Sequence, residues 1–184
     1  MPESVPRSHT GHHLVQGLPV NGGVLVVVAC AAAKREHPAP AADLYCSNHF
    51  TFMLSAARSE AADTTRVCGK PAGVAIVSAL HGLVNLDTVI APYDLKMGQP
   101  GACGPDLLAA QLGARRPDEI IAMLPAAYLK ALSAGVHIVN EAGIADIVLM
   151  DAFEAAPGIG YQRGVAASLL RNAGSIGNGS AGQH

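Results

Sequence analysis

The chain has no tryptophan, and aromatic residues fill only 4% of its 184 positions. A surface that stacks successive bases would therefore be sparse. Charge is scarce too: 14% of residues are charged and the formal net charge is −2. No run of lysine or arginine exceeds two residues (Lys34-Arg35 and Arg115-Arg116). Such a chain exerts no bulk pull on nucleic acid or anionic membrane. No apolar run approaches the roughly 20 residues of a membrane-spanning helix. The opening "MPESVPRSHTGHHLVQGLPVNGG" is polar, is broken by Pro and Gly, and lacks the apolar region of a signal peptide. A cytoplasmic protein is the expectation, with no membrane partner.

The familiar catalytic motifs are absent as well. There is no G-x-S-x-G, no P-loop and no HExxH, which argues against the common hydrolase and nucleoside triphosphatase chemistries. Cys30, Cys46, Cys68 and Cys103 fit no zinc spacing. They are expected to be reduced, and no metal or cofactor is expected.

Apolar residues make up 50% of the chain, enough for one core in one domain. Residues 24–30, "VLVVVAC", read as a strand covered on both faces, and residues 73–79, "GVAIVSA", read as a second. "EIIAML" is a third, and "VHIV" and "DIVLM" are short candidates. Between the first two strands, Pro38 and Pro40 interrupt a loop. Ser47 then caps a helix over residues 48–62, whose Phe50, Met53, Leu54 and Ala57 share one face. Helices are also expected over 106–115, from Pro125 onward, and after "GIGYQRG", with Val165, Leu169 and Leu170 as the apolar side of the last. The expected organisation is a flexible arm (1–22), a single α/β domain (23–172) and a flexible tail (173–184). Three layers with a largely parallel sheet follow from the alternation of strands and helices. The arm holds His9, His12 and His13, read as solvated rather than metal-binding.

Ligands of such sheets bind beyond the carboxyl ends of the strands. That places the 30–45 and 80–103 loops at one cleft. Cys30 ends the first strand and is either a nucleophile or an inert core thiol. Lys34 could hold an anion, and Tyr45 could donate a hydrogen bond. In "SALHGLVNLDTVIAPYDL", His81 suits proton transfer near neutral pH, and Asp87 could orient it or cap the turn. Pro92 fixes the chain before Tyr93 and Asp94. Gly158 and Gly160 precede a helix start, where backbone N–H groups attract anions, and Arg163 could grip a phosphate there. The G-x-G-x-x-G dinucleotide spacing fails, because Gly164 falls one residue late.

"SALHGLVNLDTVIAPYDLKMG" resembles the YaaA-like family of peroxide-stress-resistance proteins, with its Ser-x-x-x-Gly-Leu, Asp, Ile-x-Pro-Tyr and Met-Gly elements. It is closer to that family's short, uncharacterised actinobacterial and phage relatives. The matching residues are Cys30 and Lys34, His37 to Ala41 with Asp43, Leu44 and Tyr45, His81 to Leu83, Asp87, Pro92 and Tyr93, and Gly158, Gly160 and Arg163. The likeness runs from about Val24 to Leu170. It implies an association with DNA binding and oxidative protection for the longer members. For the short ones it implies proximity to nucleobase- and nucleoside-modifying enzymes. The chain is shorter than the former and lacks their helix-hairpin-helix pattern, which argues against duplex binding.

The expected function is an enzyme acting on a nucleobase, nucleoside or nucleotide, with cleavage or transfer at an N-glycosidic bond as the preferred chemistry. His81, Asp87 and Cys30 are the candidate catalytic residues. Lys34, Tyr45, Tyr93, Gly158, Gly160 and Arg163 are the candidate binding residues. The alternatives are a non-catalytic DNA-binding protein and a peroxide-responsive protein with a redox-sensitive Cys30. Nucleic acid is the weaker partner beside a small molecule, and a homodimer is the candidate oligomer.

Overall fold

The computed structural model describes residues 22–154 and 165–170. Residues 1–21 of the expected arm, the tail, and Gly158, Gly160 and Arg163 lie outside the described residues. Five strands form one sheet: β1 (Val24–Ala29), β3 (Ala72–Ser78), β4 (Gly82–Asn85), β6 (Glu119–Met123) and β7 (Val148–Asp151), in the order β4-β3-β1-β6-β7. All neighbours pair in parallel except β4, which runs antiparallel to β3. The sheet is mixed but mostly parallel, with helices on both faces, as expected of an α/β domain.

The β-branched run of β1 explains its central place. Val26 and Val28 face the layer containing α2 (Asn48–Cys68), and Leu25 and Val27 face α3 (Pro105–Arg115) and α4 (Ala126–Glu141). Both faces are covered, so every one of these side chains is almost fully buried. Each contributes about 1.5–3 kcal/mol by leaving water. On the second face, α3 and α4 approach closely at Gly135. A Cβ there would stand 2.9 Å from the Leu108 Cβ. Glycine in a helix costs about 1 kcal/mol relative to alanine, and here the tight helix packing offsets it.

Three expectations need correction. "VHIV" is not a strand but part of α4, because Leu132, Val136 and Val139 form one buried helical stripe. Packing of that stripe outweighs the β-propensity of valine and isoleucine. The second helix runs past residue 62 to Cys68. Thr65 Oγ1 donates to the Ala61 carbonyl and Arg66 pairs with Asp63, so weak helix formers continue the turn until Gly69 (φ 66°) ends it. The 80–103 connection is not irregular throughout, since "GLVN" is the edge strand β4. Gly82, with φ 69°, makes the tight return from Ser78 possible.

The two suspected loops meet. Ala39–Pro40 (β2) pairs antiparallel with Val89–Ile90 (β5). Pro40 is tolerated because this two-stranded ribbon leaves it on an edge. The short helix α1 (Ala41–Leu44) follows, its Ala41 and Ala42 N–H groups bonded to Thr88 and Leu86 carbonyls. Residues 165–170 are helical. Ala166 is fully buried, and Val165, Leu169 and Leu170 pack against the α2-side core. No helix among the described residues is long and apolar enough to cross a membrane.

Candidate active site

The connection from β1 through α2 to β3 moves one way along the sheet. The chain then returns through α3 to β6, on the other side of β1. A crevice opens where such connections diverge, at the carboxyl ends of β1 and β6. Cys30 is the first residue beyond β1, and Pro125 precedes α4 just beyond β6. A cavity of about 400 Å³ lies there, walled by Cys30, Phe50, Met53, Met123 and Phe153, with Ser47 and His49 from the start of α2. The volume falls within the range of about 300–1,000 Å³ typical of small-ligand pockets. Its walls are mainly apolar, and no carboxylate lines it among the described residues.

Cys30 stands in a group of hydroxyls. Its Sγ lies 3.1 Å from Tyr128 Oη, on the first turn of α4. Tyr93 Oη lies 2.8 Å from Ser78 Oγ and 3.0 Å from Tyr45 Oη. Ser78 ends β3 beside Cys30 and is the buried polar side chain of the described residues, at 0% exposure. Its Oγ accepts hydrogen bonds from the Leu80 and His81 N–H groups at 3.3 and 3.1 Å. Burial raises the pKa of Tyr93 far above the ordinary phenol value, and the adjacent Cys30 sulfur adds to the shift. Tyr128 is raised for the same two reasons. Tyr45 is raised chiefly by burial. All three phenols therefore keep their protons at neutral pH.

Lys34 stands beside this cluster. Its ammonium lies 4.2 Å from the Tyr93 ring centroid and 5.6 Å from that of Tyr45. Such stacking contributes about 0.5–1 kcal/mol where solvent has access. The Lys34–Tyr45 bridge joins the two backbones. Lys34, Tyr45 and Tyr93 are thus brought together, but of the described residues expected at the site Cys30 alone lines the cavity.

His81 and Asp87 are not brought together. His81 meets the Tyr93 ring edge-on, at 5.5 Å between centroids, but does not line the Cys30 cavity. It faces a second recess of about 240 Å³, beside Gln111 and Arg115. Asp87 is exposed in the turn after β4. The four residues of β4 lie between the two, and at 3.3 Å per residue they separate them by about 13 Å. The expected orienting role of Asp87 is therefore corrected: it reaches neither His81 nor the crevice. The backbone of His81 anchors the loop, its N–H bound to Ser78 Oγ and its carbonyl accepting from Gln111 Nε2 at 2.9 Å.

The sequence reading missed Tyr128 and Ser78. A weak signal existed for each. Tyr128 follows Pro125 in the first turn of the helix after the third strand, and such helix starts point back to the carboxyl edge. Ser78 is the lone hydroxyl at the end of an apolar strand.

Residues 25–141 match a family of unknown function (DUF6884). That span runs from β1 to the end of α4 and contains Cys30, Tyr45, Ser78, Tyr93 and Tyr128. No curated protein and no solved structure matches the chain.

Proposed function

We propose that this chain, which belongs to the DUF6884 family, is an enzyme acting on a nucleobase, nucleoside or nucleotide, with Cys30 as its nucleophile. One observation carries the reading: a half-buried thiol at a strand end, hydrogen-bonded to Tyr128, on the wall of an apolar cavity at the sheet's switch point. Flat apolar side chains suit the faces of a neutral heterocycle. The YaaA-like resemblance supports the same substrate class.

The site shifts the preferred chemistry. Cleavage of an N-glycosidic bond calls for a carboxylate near the anomeric carbon, and Asp87 is too far away to supply it. The available step is nucleophilic addition. A sulfur lone pair forms an S–C bond to an electrophilic ring carbon. The ring C=N pair moves onto nitrogen, which takes the proton given up by the thiol, and loss of a leaving group with a proton restores C=N and leaves a thioimidate; water then adds at the same carbon, and expulsion of the sulfur, which takes back a proton, frees Cys30 and leaves oxygen on the ring. A disulfide switch is less well supported, because Cys30 packs on one face of the sheet and Cys103 on the other.

The test is turnover. Incubation with a panel of nucleobases, nucleosides and nucleotides, followed by chromatography, should show one class converted by the wild type and not by Cys30→Ser. Absence of both conversion and binding across the panel would overturn the reading.

A further inference from the structure

We propose that the recess beside the edge strand β4 is a binding site for a small oxyanion, a phosphate or carboxylate group, held by the positive charge of Arg115. The inference goes beyond the reading of Cys30 and does not depend on it, because the recess and the Cys30 cavity share no lining residue among the described residues.

The recess, about 240 Å³, follows the outer edge of β4. His81 precedes the strand, Thr88 follows it, and Gln111 and Arg115 line the recess from α3. A spacing of four residues puts the last two on one helical face. Both reach the same strand residue. Gln111 Oε1 accepts from the Leu83 N–H at 2.7 Å. Arg115 Nη2 donates to the Leu83 carbonyl at 3.3 Å and to Asn85 Oδ1 at 3.0 Å. The outward N–H and C=O of Leu83 are thereby taken, so this stretch of edge offers no template for an added strand. Gln111 makes its bonds with a neutral amide. Arg115 brings a full positive charge to the same place.

That charge has no counter-ion. The ion pairs among the described residues are Arg66–Asp63 and Lys70–Glu119, and neither includes Arg115. Its two bonded acceptors are neutral. Its Nη1 is shut off from water and has no hydrogen-bond partner among the described residues. The group is half-buried, and burial lowers its pKa, yet a guanidinium stays protonated in proteins. An unpaired charge withdrawn from water is costly, and a buried donor left unsatisfied calls for a physical cause. An oxyanion in the recess supplies one. The charge is spread over the planar guanidinium, so an anion along this wall feels it at short range. No Asp or Glu among the described residues lines the recess to repel it. The Thr88 hydroxyl and the His81 imidazole are further hydrogen-bonding groups on its wall.

The test is a titration of the full chain with inorganic phosphate and, separately, with acetate, followed by backbone amide NMR at an ionic strength held constant with chloride. At least one anion should shift the amides of residues 81–90 and 111–115 saturably, with half-saturation at millimolar concentration or below. A response to phosphate alone identifies a phosphate site, and a response to acetate alone a carboxylate site. Arg115→Gln should weaken the response about tenfold or more. Failure of both anions to produce saturable shifts overturns the proposal. So do shifts that fall on the Cys30 cavity instead of β4 and α3, or an undiminished response in folded Arg115→Gln. Should that variant not fold, the wild-type titration decides by the location of its shifts. Nucleobase turnover without anion binding would remove this site and leave the enzyme reading; anion binding without turnover would do the reverse.

Discussion

Tyr128 Oη lies 3.1 Å from Cys30 Sγ, although 98 residues separate them along the chain. The fold explains the meeting. Parallel β1 and β6 put the residues that follow them on the same edge of the sheet, and α4 begins there. The consequences of that placement for activity, pH and stability can be measured.

Cys30→Ser should abolish turnover, by about 10³-fold or more if the sulfur forms a covalent bond. The substitution is nearly isosteric and the site is half-buried, so the melting temperature should move little. Kinetics and thermal unfolding on the same preparation separate a chemical loss from a structural one.

Ser78→Ala should destabilise the fold by about 1–3 kcal/mol, because two backbone N–H groups lose their acceptor in a half-buried turn and Tyr93 loses a hydrogen-bond partner. Tyr45→Phe should cost less, about 1 kcal/mol, since it removes one hydrogen bond of the Tyr93 hydroxyl and leaves the one with Ser78. Urea unfolding gives both values. A larger loss for Tyr45→Phe than for Ser78→Ala would contradict this ordering.

Phenol titration followed by absorbance should show that Tyr45, Tyr93 and Tyr128 do not ionise near pH 10.0 in the folded protein, where an unfolded chain would. The sign follows from linkage. The folded state holds these protons above pH 10 while the unfolded state releases them, so the stability they confer is complete below pH 10 and is lost as pH rises further. Denaturation midpoints should therefore be flat toward pH 9 and fall beyond 10.

Gly135→Leu should destabilise the protein by about 1–3 kcal/mol or more, by forcing α3 and α4 apart at Leu108. Leu112→Ala, in the same layer and 0% exposed, should cost about 2–5 kcal/mol. Neither residue touches the crevice, so turnover per folded molecule should be retained.

Much of the fold was legible because burial on both faces leaves a local mark. The continuous apolar runs of β1 and β3 could be little else, and Ser47 announced the start of α2. The mark misled at "VHIV", where the same residue types serve a helix whose partner, α3, cannot be seen locally. The site divides along similar lines. Cys30, Lys34, Tyr45 and Tyr93 lie in loops that follow strands or pack against them, so position alone pointed to them. Tyr128 and Ser78 act through contacts across the fold, which carry no local pattern. His81 and Asp87 were misread as a pair because six residues look close in a loop, whereas here a strand carries one away from the other.

Protection of Cys30 tests the central claim most directly. Each member of the nucleobase, nucleoside and nucleotide panel is added at saturating concentration, and iodoacetamide labelling of Cys30 is followed alongside Cys46 and Cys68. The account predicts that at least one class slows labelling of Cys30 about tenfold or more while the exposed cysteines react as before. Equal labelling of Cys30 with and without every member of the panel would contradict it.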